Sequence, residues 1–182
     1  MVDLAILYPI AAAFWIMIPA YLPNSAAALC GGGPPIDGGK LLWDGRRVFG
    51  EGKTVRGFFC GVFAGICIGL VLIFLQGFAF FSTIPVQSLL SVVLLSTGAL
   101  LGDLCKSFFK RRLGKERGTK WPLFDMYDLV AGSMLLLLVF DPGWLFKWVT
   151  PIVFLVILVL TPILHRGINI IGYFTGVKKE PW

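Results

Sequence analysis

An all-α integral membrane protein with five transmembrane helices is predicted by three features of the sequence. Mean hydropathy is +0.85, with 57% hydrophobic and only 14% charged residues, a composition that belongs in lipid rather than in water. The apolar residues gather into five runs that cross hydrocarbon or nearly do. The basic residues crowd into alternate connections: five in the first loop (Lys40, Arg46, Arg47, Lys53, Arg56), seven between the third and fourth runs, three in the tail, and Lys147 alone opposite. Short loops rich in Lys and Arg stay cytoplasmic, so the N-terminus is expected outside and the C-terminus inside. An even number of spans would separate the tail from the basic loops, so the same rule supports five. The 182 residues leave room for a single domain, 1–182, and no separate soluble one.

The first span covers about residues 4–29. Pro19 and Pro23 remove backbone donors within it and are expected to kink or end the regular helix. The start has no basic region and carries Asp3, which speaks against a cleaved signal peptide. A Gly- and Pro-rich cytoplasmic loop, 31–56, follows. The second span, 57–81, has Gly57, Gly61, Ala64, Gly65 and Gly69 at helical spacing, a stripe that permits close packing. The third covers 85–104, and a second cytoplasmic loop covers 105–124. The fourth apolar run, 129–140, is short of the roughly twenty residues needed to cross hydrocarbon squarely. It is expected to borrow length over 125–144, with its first turn in a polar cavity. The fifth span is 148–164, followed by a mixed tail from Arg166 suited to the membrane interface and ending with Lys178 and Lys179.

Cys30, Cys60, Cys67 and Cys105 lack CxxC spacing or His partners and read as packing residues. A pI of about 9.3 invites a nucleic-acid reading, but the aromatic residues lie in the apolar runs rather than among the basic ones, so no nucleic-acid binding is expected.

The chemistry concentrates between Gly102 and Asp128. On a helix Asp103, Lys106, Ser107 and Lys110 share one face at the cytoplasmic end of the third span. Asp125 and Asp128, three apart, share the first turn of the next helix. Carboxylates so close repel one another, and the pattern makes sense if a divalent cation lies between them and phosphate oxygens. A purely topological loop explains the Lys and Arg. It leaves Asp103, Asp125 and Asp128 unexplained, because acids do little for orientation and cost free energy inside membranes. In the first loop, Lys53 and Thr54 enter the second helix with Arg56 nearby, a plausible phosphate site at a helix N-terminus. A P-loop is excluded, since Arg47 stands where its first glycine belongs and no strand precedes it. Asn24 reads either as polar glue between helices or as a substrate contact, and His165 as an interfacial residue.

Ser107-Phe-Phe-Lys110-Arg111, then Lys115-Glu116, Pro122, Asp125 and Asp128 resemble the signature of the CDP-diacylglycerol synthases, with Asp103 and Lys53-Thr54 matching its flanking motifs. Glu116 stands for the family's Asp, Arg56 for its Glu, and its His-Gly-Gly is missing. Those departures, with Asn24-Ser25-Ala26, Pro35-Ile36-Asp37, Asp44-Gly45-Arg46-Arg47 and His165-Arg166, are similar to the archaeal branch, the CDP-archaeol synthases. The resemblance implies Mg2+-dependent transfer of CMP from CTP to an isoprenoid glycerol ether phosphate, with release of pyrophosphate, at the cytoplasmic face of the cell membrane. Asp103, Asp125 and Asp128 would hold the metal, and Lys106, Lys110, Arg111 and Lys115, with Ser107, the phosphates. Lys53, Thr54 and Arg56 would close the site, with Asn24, Asp37, Asp44 and Arg46 as candidates for nucleotide or structural contacts. Two alternatives stand beside this: a CDP-diacylglycerol synthase acting on phosphatidic acid, and a transporter or anion-lipid binding protein that performs no chemistry.

Overall fold

The computed structural model describes residues 4–79, 83–116 and 118–174. Its six helices are α1 (Leu4–Leu29), α2 (Val55–Leu75), α3 (Leu89–Arg112), α4 (Pro122–Phe140), α5 (Pro142–Trp148) and α6 (Pro151–Phe174). Among the described residues there is no strand, only isolated bridges at Pro35–Thr54 and Leu41–Arg47. Four helices are long and apolar enough to cross a membrane, and α5 with α6, bent by 85°, makes a fifth candidate span. Lys178 and Lys179 lie outside the described residues.

Several boundaries differ from those expected. α3 does not stop at 104 but runs to Arg112, because Lys110, Arg111 and Arg112 in its last turn suit the negative end of the helix dipole. α4 begins at Pro122, where a missing N–H costs nothing, and its 19 residues span roughly 28 Å at 1.5 Å each. Asp141 then ends it and accepts from Trp144 N at 3.2 Å, capping α5 as a separate element. α6 continues past 164 to Phe174, so Arg166 belongs to a helix rather than to a tail.

The prolines bend the pattern without breaking the helices, because neighbouring side chains replace the lost donors. Pro19 leaves the Trp15 carbonyl without its helical partner, and the fully buried Gln87 amide donates to Trp15 O at 3.2 Å and to Ile16 O at 3.3 Å. Pro23 does the same to Pro19, whose carbonyl accepts from Ser96 Oγ at 3.2 Å. In α6, Pro162 strands the carbonyl of Leu158, and the Tyr127 hydroxyl donates to it at 3.0 Å. In hydrocarbon no water can serve these carbonyls, so the side chains must.

Close packing rests on glycine. A Cβ on Gly61 would fall 2.6 Å from Pro23 O, and one on Gly132 would fall 2.1 Å from Gly98 O, so α2 lies against α1, and α4 against α3, backbone to backbone. The core between α1, α3, α4 and α6 includes Ile16, Met17, Leu95, Leu129, Leu137 and Ile157, all essentially fully buried. One expectation is corrected here. Cys30 and Cys60 are not separate packing residues but a disulfide joining the end of α1 to α2, with Cα atoms 6.3 Å apart. Their separation of 30 residues gave no sign of it, since the proximity comes from the α1–α2 crossing. Cys67 and Cys105 are free and exposed.

Candidate active site

Four residues of α3 and α4 converge where the helices leave the apolar core. Lys106 Nζ lies 2.5 Å from Asp128 Oδ2, 3.1 Å from Asp103 Oδ1 and 3.5 Å from Asp125 Oδ1. Lys110 Nζ lies 2.6 Å from Asp125 and donates to the Thr119 carbonyl at 3.0 Å. From the first loop, Lys53 pairs with the other oxygen of Asp103. The face Asp103–Lys106–Lys110 comes from helical spacing. Its meeting with Asp125 and Asp128 comes from the glycine crossing of α3 and α4.

The three acids supply hard carboxylate oxygens suited to Mg2+. Among the described residues, however, no three acidic, His or Cys side chains stand close enough together to hold an ion as they are. The Lys106 ammonium is at the centre and spaces them. The donor chemistry therefore fits a divalent cation on condition that Lys106 shifts away from the carboxylates.

The first loop is ordered from within. Ile36 N donates to Lys53 O at 2.8 Å and Val55 N to Pro34 O at 3.1 Å, which lays the loop's two ends side by side at the start of α2. Thr54 caps that helix, its Oγ1 accepting from Gly57 N at 3.1 Å. Asp37 is buried within the loop rather than lining the cavity. Its carboxylate accepts from Gly39 N (3.1 Å), Phe49 N (3.0 Å) and Gly50 N (2.9 Å) and pairs with Arg47 at 2.5 Å. Burial pushes its pKa up, but the Arg47 bond and the three backbone donors outweigh that and hold it well below the usual carboxylate range.

The loop is also fastened to the end of α3. Arg46 Nη1 donates to the carbonyls of Arg111 (3.2 Å) and Arg112 (3.0 Å), orphan acceptors at a helix C-terminus. Arg112 answers with an ion pair to Asp44 at 2.6 Å and a hydrogen bond to Arg47 O at 2.6 Å. Arg111 donates to Lys115 O at 2.8 Å, and the Lys115 ammonium lies 5.8 Å above the Trp121 ring. Asp37, Asp44 and Arg46 thus make structural contacts, and Arg56 is exposed outside the cavity.

The cavity itself measures about 680 Å³ and is walled by all five long helices. Lys53, Thr54, Asp103, Lys106, Lys110 and Asp125 line it, as does Asn24, whose buried Oδ1 has no hydrogen-bond partner among the described residues. A smaller adjoining pocket of about 240 Å³ adds Ser107, Arg111 and Glu116. Asp128 sits just beneath, its side chain 3% exposed. Thr119, Lys120, His165, Arg166 and Ile170 also line the larger cavity; His165 and Arg166 were expected only at the membrane interface, and the other three were not singled out. For His165 and Arg166 the signal was present: a His-Arg pair closing an apolar run.

A family model described as CDP-archaeol synthase, CarS-like, matches residues 4–182. A CDP-archaeol synthase of Methanoculleus marisnigri is 61% identical over 166 residues, covering 91% of this chain and all of that one. The CDP-archaeol synthase of Methanoregula boonei is 60% identical over the same extent. Among solved structures, an intramembrane enzyme for archaeal membrane lipid biosynthesis superposes with a TM-score of 0.74 at 34% identity, covering 88% of this chain and 94% of that one. Agreement of this extent, over a chain whose acids and lysines meet at one cavity between its long helices, establishes that the protein belongs to the CDP-archaeol synthase family.

Proposed function

We propose that this chain transfers CMP from CTP to 2,3-bis-O-geranylgeranylglycerol 1-phosphate, yielding unsaturated CDP-archaeol and pyrophosphate for archaeal membrane phospholipids. The observation that carries this reading is the convergence of three aspartates and three lysines on a cavity walled by membrane helices, in a chain 61% identical to a CDP-archaeol synthase.

An oxygen of the lipid phosphomonoester attacks the α-phosphorus of CTP. A new O–P bond forms, the bond from the α-phosphorus to the bridging oxygen of the β-phosphate breaks, and its electron pair leaves with pyrophosphate. The nucleophile arrives already anionic, so the protein's task is positioning and charge stabilisation. Lys53, at the N-terminus of α2, and Lys106 and Lys110, on one face of α3, hold the triphosphate and offset charge on the departing pyrophosphate. Arg111 and Lys115 flank them. Asp103, Asp125 and Asp128 would hold Mg2+, which when bound neutralises phosphate charge and draws the two reactants together. Asp37, Asp44 and Arg46 act one step back, by fixing the loop that presents Lys53. The reaction faces the cytoplasm of the cell membrane, with the N-terminus outside and the C-terminus inside, as the segregation of basic residues supports. The isoprenoid chains remain in the bilayer and reach the cavity sideways, since burying them in a wet site would forfeit their hydrophobic contribution.

A lipid competition tests the reading. The purified chain in detergent micelles receives labelled CTP and Mg2+ with equal amounts of the geranylgeranyl ether phosphate and phosphatidic acid. Predominant CDP-archaeol is expected. Predominant CDP-diacylglycerol would keep the chemistry and overturn the lipid, and no CDP-lipid from a folded preparation would overturn both.

A further inference from the structure

Arg166 is a cavity cation to which the reaction as described gives no task. It lies on α6, one residue after His165 and one helical turn before Ile170, and all three line the same cavity as Lys53, Lys106 and Lys110. Each of those lysines is ion-paired in this structure: Lys53 with Asp103, Lys106 with Asp103, Asp125 and Asp128, and Lys110 with Asp125. Arg166 has no carboxylate within ion-pairing reach among the described residues. Arg166 is exposed at the wall of that cavity, open to an incoming anion, and its planar guanidinium fork matches two oxygens of a phosphate.

Position says which anion. The lysines rise from the start of α2 and from α3, whereas Arg166 lies on α6 on one exposed stripe with Val159, Ile163 and Ile170, spaced i, i+4, i+7 and i+11. An apolar chain lying along that stripe brings the phosphate joined to it to Arg166, at the cavity. Two polar clamps just upstream of Pro162 hold the helix: Tyr127 Oη on the Leu158 carbonyl at 3.0 Å, and Tyr21 Oη against Thr161 Oγ1 at 3.0 Å. Beyond them the helix carries Arg166 and Ile170, at i and i+4, on one face. That face offers a cation beside an apolar residue, the polarity of a phosphate joined to an isoprenoid chain. The reaction must bring together two anions that repel each other, and cations on opposite walls achieve this better than one shared cluster.

Building on the CMP-transfer reading, we infer that Arg166 grips the phosphate of the lipid acceptor, while the α2–α3 lysines take the triphosphate. The assignment is tested on the full chain in nanodiscs, with CTP and the geranylgeranyl ether phosphate varied separately. Wild type is assayed first: no CDP-lipid from folded wild type sinks the functional reading, and this assignment with it. With wild type active, Arg166→Gln is expected to raise KM for the lipid phosphate about tenfold or more, the scale of a lost charge-assisted phosphate contact, and to leave KM for CTP within about twofold. Arg166→Lys should recover part of the loss, keeping the charge but not the fork. An unchanged lipid KM, or a rise confined to CTP, overturns the assignment while leaving the enzyme reading intact. If Arg166→Gln does not fold, the lysine variant decides on the same two constants: a raised lipid KM at constant CTP KM supports the grip, and any other pattern overturns it.

Discussion

Gly102 lies in backbone contact with Asp128: a Cβ on Gly102 would fall 2.0 Å from the Asp128 carbonyl oxygen. The residue before one candidate metal ligand is thus pressed against another, and the separation between the acids of α3 and α4 is set by a missing methyl group. Gly102→Ala is expected to force the helices apart, abolish CMP transfer and lower stability by about 1–3 kcal/mol, the usual cost of overpacking. At Gly143 a Cβ meets nothing within 4 Å, so Gly143→Ala should match wild type. Melting and turnover of both variants check this, and indistinguishable variants would refute the crossing argument.

Asp128→Asn is expected to abolish turnover with expression and melting close to wild type, since Lys106 keeps Asp103 and Asp125 as partners. Lys106→Met removes the shared cation from all three acids and should cost about 3–5 kcal/mol, as for other half-broken buried ion clusters. Differential scanning of the two proteins separates chemistry from fold; an active Asp128→Asn enzyme would take Asp128 out of the metal site.

For Lys53 the expected signature is kinetic. Lys53→Ala should raise KM for CTP about tenfold, in the range of a lost hydrogen bond to a charged group, with a smaller change at the lipid. Steady-state titration of CTP at saturating lipid measures it, and an unchanged KM would return the loop to a topological role.

Asp37 gives a pH dependence with a definite sign. Its folded pKa lies below the ordinary carboxylate value, near 3.9 in an unstructured chain. Its contribution to loop order is therefore complete above about pH 4 and is lost as pH falls further, through the folded pKa. Limited proteolysis of the 31–54 loop should show constant protection from pH 7 down to about 4 and rising cleavage below. Asp37→Asn should be cleaved faster at neutral pH, and equal rates would remove the carboxylate from the loop's support.

What could be read from the sequence follows the range of the interactions. Asp103, Lys106 and Lys110 share a face by helical periodicity alone, so that half of the site was legible. That Lys106 would stand among the acids was not, because it depends on the register of Gly98 and Gly102 against Gly132. The fastening of Asp44 and Arg46 to Arg112 escaped for a similar reason: the partners are 68 and 66 residues apart and nothing local marks them. The break between α4 and α5 was different. Asp141 followed by Pro142 is a cap-and-first-turn signal, and it was absorbed into a span drawn to reach residue 144.

The proline carbonyls carry a consequence for biogenesis. The donors that serve α1, Gln87 and Ser96, lie 72 and 77 residues beyond the carbonyls they satisfy, whereas Tyr127 precedes Leu158 by 31. During synthesis α1 therefore enters the membrane with bare polar groups and stays incomplete until α3 arrives, while α6 docks onto a donor already in place. A nascent chain stalled between α2 and α3 presents a first helix that lipid alone cannot solvate, the kind of intermediate that insertion machinery must shelter or quality control remove.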